Sequence, residues 1–109
     1  MRIEDVPFCI TDWSRVAETI HPGETGHAVW RTLELGNIRV RMVEYSAGYL
    51  ADHWCMRGHV LLVMEGEMVT ELKDGRSYPM TPGVSYQVAE NDAPHRSRSV
   101  RGAKLFIVD

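Results

Sequence analysis

Two glycines enclose the stretch of sequence that decides the fold, GYLADHWCMRGHVLLVMEG (residues 48–66). Its first half contains His53, Cys55 and His59 within seven residues. If this segment is extended, side chains alternate between two faces, so His53 and Cys55 share one face. The second half is an apolar run that begins at His59, and this histidine can return towards the same interior on the neighbouring strand. We therefore expect three donor side chains to lie close together.

The donors in this stretch are of the kind that binds transition metals. Imidazole and thiolate suit zinc, iron, cobalt, nickel or copper, whereas magnesium and calcium prefer oxygen ligands. A fourth donor could be His95, which follows a turn-rich segment and begins the next candidate strand. The alternatives are that the histidines are hydrogen-bonded core residues and that Cys55 is a small buried hydrophobe.

Glycine and proline divide the rest of the sequence into pieces of strand length. These pieces are rich in β-branched, aromatic and alternating residues, which favour strands. Six strands are predicted, and His95–Val100 is a candidate seventh. The six are His27–Leu35, Ile38–Tyr45, Val60–Met64, Glu67–Leu72, Ser85–Ala89 and Ala103–Val108.

Local signals predict one hairpin and leave the N-terminal region open. The segment KDGR (residues 73–76) contains Asp-Gly, which favours a two-residue type I′ turn, so Glu67–Leu72 should pair with Arg76–Met80. Near the N-terminus, Thr11 or Asp12 could cap a short helix, and an irregular segment is the alternative.

Strands in this number predict an all-β fold. They must close into a barrel or pack as two sheets, because long edges would otherwise stay unpaired. At 109 residues the chain has the length of one domain. Strand rhythm alone does not separate a jelly roll from other Greek-key barrels.

Composition narrows the classes of partner. The formal charge of −3 offers no excess of positive charge for phosphates, so we expect no nucleic-acid partner. The longest aliphatic run, Val60–Met64, is too short to span a membrane. The two cysteines are far apart in a chain that needs no disulfide framework, so both are expected to be reduced thiols. We predict a cytoplasmic protein with no membrane partner.

The spacing of these residues resembles the first of two sequence boxes of the cupin superfamily. That box reads Gly, five residues, His-x-His, three or four residues, Glu, six residues, Gly. Its positions correspond here to Gly48, His53, Cys55, His59 and Gly66, with four residues between the first two.

The second cupin box has its counterpart in Gly75, Pro82-Gly83 and His95, which occur in the right order with a longer connection before the histidine. Two departures concern the donors: Cys55 stands at the second histidine position and His59 at the glutamate position. The segment Asp52-His53-Trp54-Cys55 is similar to the Asp-His-Cys-Trp signature of a group of small single-domain cupins with no assigned activity, with the last two residues exchanged.

The resemblance implies a single cupin domain, a double-stranded β-helix or jelly-roll barrel, with an N-terminal arm over residues 1–26 and the barrel over 27–109. It also implies a small-molecule ligand inside the barrel, and a homodimer in which the segment through Trp13 is the arm. One divalent transition metal is expected, with zinc or iron first and nickel, manganese, cobalt or copper as further candidates. Its ligands would be His53, Cys55, His59 and His95.

The function predicted on this basis is metal-dependent catalysis, of the dioxygenase or isomerase type, on a small and anionic molecule. The alternative is a non-catalytic binding or sensing protein with a closed four-ligand zinc site, since structural zinc is usually held by four protein ligands. A metal-free cupin that binds a partner or an apolar ligand is a third possibility. No catalytic residue is assigned by the sequence.

Three further side chains are candidates for substrate binding. In the strand Ile38–Tyr45, Arg41 and Tyr45 share a face, and an inward Arg41 could hold a carboxylate by two parallel hydrogen bonds. The alternative is that this face looks outward from a half-solvated strand. Tyr86, in the strand Ser85–Ala89, completes the set.

Overall fold

A computed structural model describes residues 1–109, and almost all of the regular secondary structure is β-strand. Its ten strands are numbered in chain order. They are β1 Glu18–Pro22, β2 His27–Leu35, β3 Ile38–Tyr45, β4 Tyr49–Leu50, β5 His59–Gly66, β6 Met68–Leu72, β7 Ser77–Met80, β8 Ser85–Val88, β9 His95–Ser99 and β10 Ala103–Val108.

The strands form two antiparallel sheets. The larger sheet has the order β1-β2-β3-β10-β5-β8, and the smaller has the order β4-β9-β6-β7. The chain passes repeatedly from one sheet to the other, so that strands distant in sequence, such as β3 and β10, become neighbours. This arrangement confirms the predicted all-β jelly-roll class.

The core lies between the sheets and follows the alternation of side chains along each strand. Val43 on β3, Leu61 and Val63 on β5, and Leu105 on β10 are each no more than 3% exposed. Met68, at the start of β6, meets them from the smaller sheet and is 1% exposed. Burying each such side chain contributes about 1.5–3 kcal/mol. The two sheets are therefore held together by the inward-facing apolar residues of the same alternating pattern that predicted the strands.

The predicted hairpin is present, but its turn differs from the expectation. β6 pairs with β7, and the Gly75 N–H donates to the Leu72 carbonyl. Only Gly75 has a positive φ, of 102°, whereas a type I′ turn needs positive φ at two consecutive residues. The type I′ prediction is therefore wrong. Asp74 accepts from the Arg76 N–H instead, which holds its backbone in an ordinary conformation.

The N-terminal region contains one short helical turn and one strand. Trp13–Arg15 forms a 3-10 turn, and Asp12 caps it by accepting from the Ser14 N–H at 3.1 Å. β1 then forms the edge of the larger sheet through its pairing with β2. The structure contains no helix whose length and hydropathy would let it span a membrane. The division into an arm and a barrel near residue 26 stays a prediction.

A close backbone approach fixes the loop that leads into β5. The Gly58 N–H donates to the Glu90 carboxylate at 2.6 Å. A Cβ atom at Gly58 would lie 2.6 Å from the Glu90 backbone nitrogen, which is closer than van der Waals contact allows. Because only glycine lets these loops meet, Gly58 sets the position from which His59 enters the interior.

Candidate metal centre

Three donor side chains converge at one end of the barrel interior. Cys55 lies in the loop before β5, His59 opens β5 and His95 opens β9. Their ligand atoms all lie within 4.8 Å of one another. The Nε2 atoms of the two histidines are 3.0 Å apart. The structure thus brings together three of the four residues expected to bind metal.

The two histidine rings are oriented so that their Nε2 atoms face the same point. His95 Nδ1 donates to the Ala93 carbonyl at 2.7 Å, which leaves Nε2 free to act as a ligand. His59 Nδ1 is buried without a hydrogen-bond partner and faces the Asp109 carboxylate at 3.9 Å. A carbonyl or carboxylate facing the far ring nitrogen is the usual arrangement around metal-bound histidine.

The donor set and its spacing fit a transition metal. Two imidazole nitrogens that share one tetrahedral metal at their usual bond lengths lie ~3.3 Å apart, and a thiolate lies ~3.5 Å from each. The observed separation of 3.0 Å between the Nε2 atoms is close to that value. Thiolate and imidazole favour zinc, iron, cobalt, nickel or copper over magnesium and calcium.

Cys55 pairs with His95 through the backbone, and the ligand atoms of the two side chains lie within 4.8 Å of each other. The Cys55 N–H donates to the His95 carbonyl at 2.7 Å, and the His95 N–H returns a bond at 3.1 Å. A hydrogen bond with the His95 ring lowers the pKa of the Cys55 thiol, although burial raises it, and the Arg57 N–H adds a contact to Sγ at 3.4 Å. Burial lowers the pKa of His95, but its bonds to Cys55 and to the Ala93 carbonyl outweigh burial and raise it. The pair therefore favours a thiolate, the form that binds metals.

His53 lies outside this group. Its side chain is 76% exposed, and Nδ1 donates to the Asp52 carboxylate at 2.6 Å. The expectation that His53 and Cys55 share a face assumed an extended chain, but residues 51–58 form bends and a single bridge rather than a strand. The four-residue metal site stays a prediction. The structure places the ligand atoms of Cys55, His59 and His95 close together, but not that of His53.

Tyr86 and Tyr45 both line the interior beside the three donors. The Tyr86 hydroxyl lies 2.9 Å from His59 Nε2. Burial raises the pKa of Tyr86, so its hydroxyl stays protonated and can donate. Tyr45 is 8% exposed and stacks on Tyr49 with 4.3 Å between ring centroids. Both tyrosines are thus placed where a ligand in the barrel would meet them, and their role in substrate binding stays a prediction.

Arg41 points into the barrel. It is 5% exposed and shares the inward face of β3 with Val43 and Tyr45. The alternative in which this face looks outward is therefore wrong. Its guanidinium lies over the Trp30 ring, with Cζ 4.4 Å from the ring centroid.

Asp109 was not among the predicted site residues, yet its side chain is only 1% exposed. Arg39 binds its carboxylate with two parallel hydrogen bonds, of 2.9 and 2.8 Å. Burial raises the pKa of Asp109, but the bonds from Arg39 and the contact with His59 outweigh it and hold the pKa below its usual value. A signal for this residue existed, because Asp109 continues the inward parity of Leu105 and Ile107 on β10.

These side chains surround a cavity of about 470 Å³ that opens at one end of the barrel. Cys55, His59 and His95 line it together with Arg41, Tyr45 and Tyr86. The volume is within the range of small-molecule sites, which are mostly ~300–1,000 Å³. The candidate metal centre is thus open to a ligand-sized space.

Comparison with solved structures identifies the same fold in several proteins. A sugar phosphate isomerase of the cupin superfamily from Silicibacter pomeroyi is 19% identical with a TM-score of 0.70, over 92% of this chain and 74% of that one. The ectoine synthase of P. lautus is 21% identical with a TM-score of 0.72, over 93% and 76%. FeII HppE is 16% identical with a TM-score of 0.74, over 93% and 59%, so this chain spans well under two thirds of its length.

At these identities the likeness concerns the fold. No protein-family model matches the sequence, and no curated protein matches it either. The agreement nevertheless covers more than nine tenths of this chain in all three structures. The fold expected from the two sequence boxes is confirmed: the chain has the fold of the cupin superfamily.

Proposed function

We propose that this protein is a metal-dependent enzyme, of the isomerase or dioxygenase type, which acts on a small anionic molecule inside the barrel. One observation carries the proposal: Cys55, His59 and His95 converge on a point at the wall of the cavity. Three protein ligands leave positions for a substrate, whereas a closed structural site usually has four.

A divalent transition metal bound there would supply Lewis acidity or, in the case of iron, redox chemistry. The surrounding residues have separate tasks. Asp109 faces His59 Nδ1 and favours a proton on that atom, which keeps Nε2 available. The Tyr86 hydroxyl also faces this point, and because it stays protonated it can donate a hydrogen bond there. Trp54, Tyr45 and Leu61 contribute apolar surface to the cavity wall.

The similar structures support an enzyme and a metal. Two of them are named as enzymes, a sugar phosphate isomerase and an ectoine synthase, and a third is an iron(II) form of HppE. These names come from proteins under 25% identical, so they support the class of chemistry and leave the reaction of this chain open.

The alternative is a non-catalytic binding or sensing protein with a closed zinc site, in which four protein ligands hold the ion. Such a site needs a fourth ligand here. His53 is the candidate from the sequence, and it lines the same cavity, but its ring would have to move towards the other three donors to join their group. Its exposure of 76% disfavours this alternative.

Metal content distinguishes the two proposals. We would purify the untagged protein without added metal and measure its metals by mass spectrometry, beside Cys55→Ala, His95→Gln, His53→Gln and a control, His27→Gln, whose ring is exposed and outside the site. We expect one equivalent in the wild type, His53→Gln and His27→Gln, and a loss in the other two. Loss in His53→Gln would favour closed zinc, and a wild type that neither contains nor takes up metal would overturn both.

We also propose that the protein is cytoplasmic and that it forms a homodimer joined through its N-terminal segment; the resemblance implies the homodimer. In that segment Phe8 is 94% exposed and Ile10 is 87% exposed. Exposed apolar side chains so close together are typical of an interaction surface. The size of the particle in solution tests this point.

A further inference from the structure

Three guanidinium groups gather around a single carboxylate at the cavity. Arg39, Arg41 and Arg57 reach Asp109 Oδ2 at 2.8, 3.2 and 3.1 Å respectively. Three guanidinium groups thus share one carboxylate, and Glu34 and Cys55 act on Arg39 only through longer-range charge interactions, so positive charge is in excess at these contacts. A divalent metal at the neighbouring donors would add to this positive charge, since His59 lies 3.9 Å from the same carboxylate oxygen.

Many N–H donors of the three guanidinium groups are not used by Asp109. Arg39 engages it with two bonds, whereas Arg41 is bound to it through Nη2 alone. Arg41 Nε is fully buried and has no partner in the protein. A buried donor on a charged group without an acceptor is unfavourable, so such a group in a native structure requires an explanation. An anionic ligand in the cavity provides one.

The guanidinium of Arg41 is held in place before any ligand arrives. Its Cζ lies 4.4 Å from the centroid of the Trp30 ring, and His21 stacks on Trp30 at 3.7 Å. With Asp109 at one edge and Trp30 against its face, Arg41 presents its remaining N–H groups in a fixed plane. A planar fork of this kind matches the two oxygens of a carboxylate. Arg57 lines the same cavity and is the more exposed partner, with 51% of its side chain exposed.

Part of the remaining cavity wall is apolar, alongside polar residues such as Ser97 and Arg96. Val43, Leu61 and Ile107 belong to this apolar part and are each no more than 4% exposed. Transferring a doubly charged group into such surroundings costs more than transferring a singly charged one. The planar cationic fork suits a carboxylate or a phosphate. The apolar part of the wall beside it is the feature that favours a monocarboxylate with a hydrocarbon body over a phosphate or phosphonate dianion.

We propose that the cavity binds a small monocarboxylate, whose carboxylate accepts hydrogen bonds from Arg41 and Arg57 and whose apolar body lies against Val43, Leu61 and Ile107. The inference deepens the proposed function and rests on it only for what happens to the ligand beside Cys55, His59 and His95. Binding itself depends on the guanidinium groups. The carboxylate-binding role predicted for Arg41 is thus shared with Arg57, and the ligand class is a small monocarboxylate.

Calorimetric titration with four probes tests the ligand class. The probes are butyrate, its neutral analogue butyramide, propylphosphonate and inorganic phosphate. We expect butyrate to bind more tightly than the other three. Equal binding of butyramide would overturn the inference because the charge would be irrelevant, and stronger binding of propylphosphonate or phosphate would overturn the choice of a carboxylate. No measurable binding of butyrate at millimolar concentration would also overturn it.

Three variants test the residues. Arg57→Gln changes a half-exposed side chain and should keep the fold, while Arg41→Gln changes a buried one. Each should weaken butyrate binding by about 10- to 100-fold, the usual effect of losing a charged hydrogen bond. Arg101→Gln, at an exposed position away from the cavity, should leave the affinity unchanged. An unchanged affinity in Arg57→Gln would overturn the inference even if Arg41→Gln fails to fold.

Metal content measured on the same samples separates this inference from the proposed function. A protein that binds butyrate but neither holds nor takes up metal would support the carboxylate site and overturn the metal-dependent enzyme. A protein that holds one metal but does not bind butyrate would do the reverse.

Discussion

Replacing Asp109 by Asn removes the one negative charge that three guanidinium groups share. The Asp109 side chain is 1% exposed, and its partners Arg39 and Arg41 are 18% and 6% exposed, so these charges are shielded from water. Removing one partner of a buried ion pair costs about 3–5 kcal/mol, because the other charges stay buried without compensation. Arg57 adds little to this cost, since it is half exposed and can turn to solvent.

Urea denaturation measures the effect. We expect the free energy of unfolding of Asp109→Asn to fall by about 3–5 kcal/mol, which corresponds to a decrease in Tm of roughly 10–25 °C for a domain of this size. The matched control is Asp74→Asn, which breaks a pair whose members are both more than half exposed and should cost less than about 1 kcal/mol.

A second substitution checks the cause. If repulsion among unpaired guanidinium groups dominates, Arg39→Gln added to Asp109→Asn should restore part of the stability, so the double variant should lose less than the sum of the single losses. A loss below about 1 kcal/mol in Asp109→Asn, no larger than that of the Asp74→Asn control, would refute the argument that this carboxylate neutralises the cluster.

Three other predictions concern pH, thiol reactivity and assembly. The pKa of Asp109 is lower in the folded than in the unfolded protein, so its stabilisation is complete above the usual value of 3.8 and is lost as the pH falls through the folded pKa. Acid titration of stability should therefore show a decline below about pH 4 that is weaker in Asp109→Asn. In metal-free protein at neutral pH, Cys55 should react with iodoacetamide faster than Cys9, because the pKa of the Cys55 thiol is lowered. Bound metal should protect Cys55 from this reaction. Equal labelling of both thiols, measured by mass spectrometry, would argue against a thiolate at Cys55. Replacing Phe8 and Ile10 together by Ser should convert the proposed dimer into a monomer in light scattering, and a wild type that is already monomeric would contradict the proposed arm.

The long strands that have a hydrogen-bonded neighbour on each side were predictable from the sequence. β2, β3 and β10 have the predicted bounds, because long alternating runs of β-branched and aromatic residues leave little freedom in where a strand begins and ends. β1 and β4 were missed for physical reasons. Most of β1 is exposed, so it lacks an alternating pattern, and β4 has only two residues.

The candidate site was predictable in its donors and less so in their neighbours. His59 and His95 open strands, so the pattern that predicted the strands also indicated where their rings enter. His53 lies in an irregular loop, where a period of two does not apply. Asp109 shows the opposite case: its parity on β10 indicated an inward carboxylate, but a charged residue at the end of an apolar strand is expected to be exposed. The three guanidinium groups that make its burial favourable come from β3 and a loop far away in sequence.

X-ray absorption spectroscopy of the metal-loaded protein tests the central claim most directly, since it reports the atoms around the metal. Three protein ligands from Cys55, His59 and His95 predict one sulfur at ~2.3 Å and two imidazole nitrogens at ~2.0–2.1 Å for zinc, with light atoms that do not come from imidazole in the remaining positions. The sulfur should disappear in Cys55→Ala. A wild-type spectrum without a sulfur neighbour, or with the same neighbours as Cys55→Ala, would contradict the proposed centre.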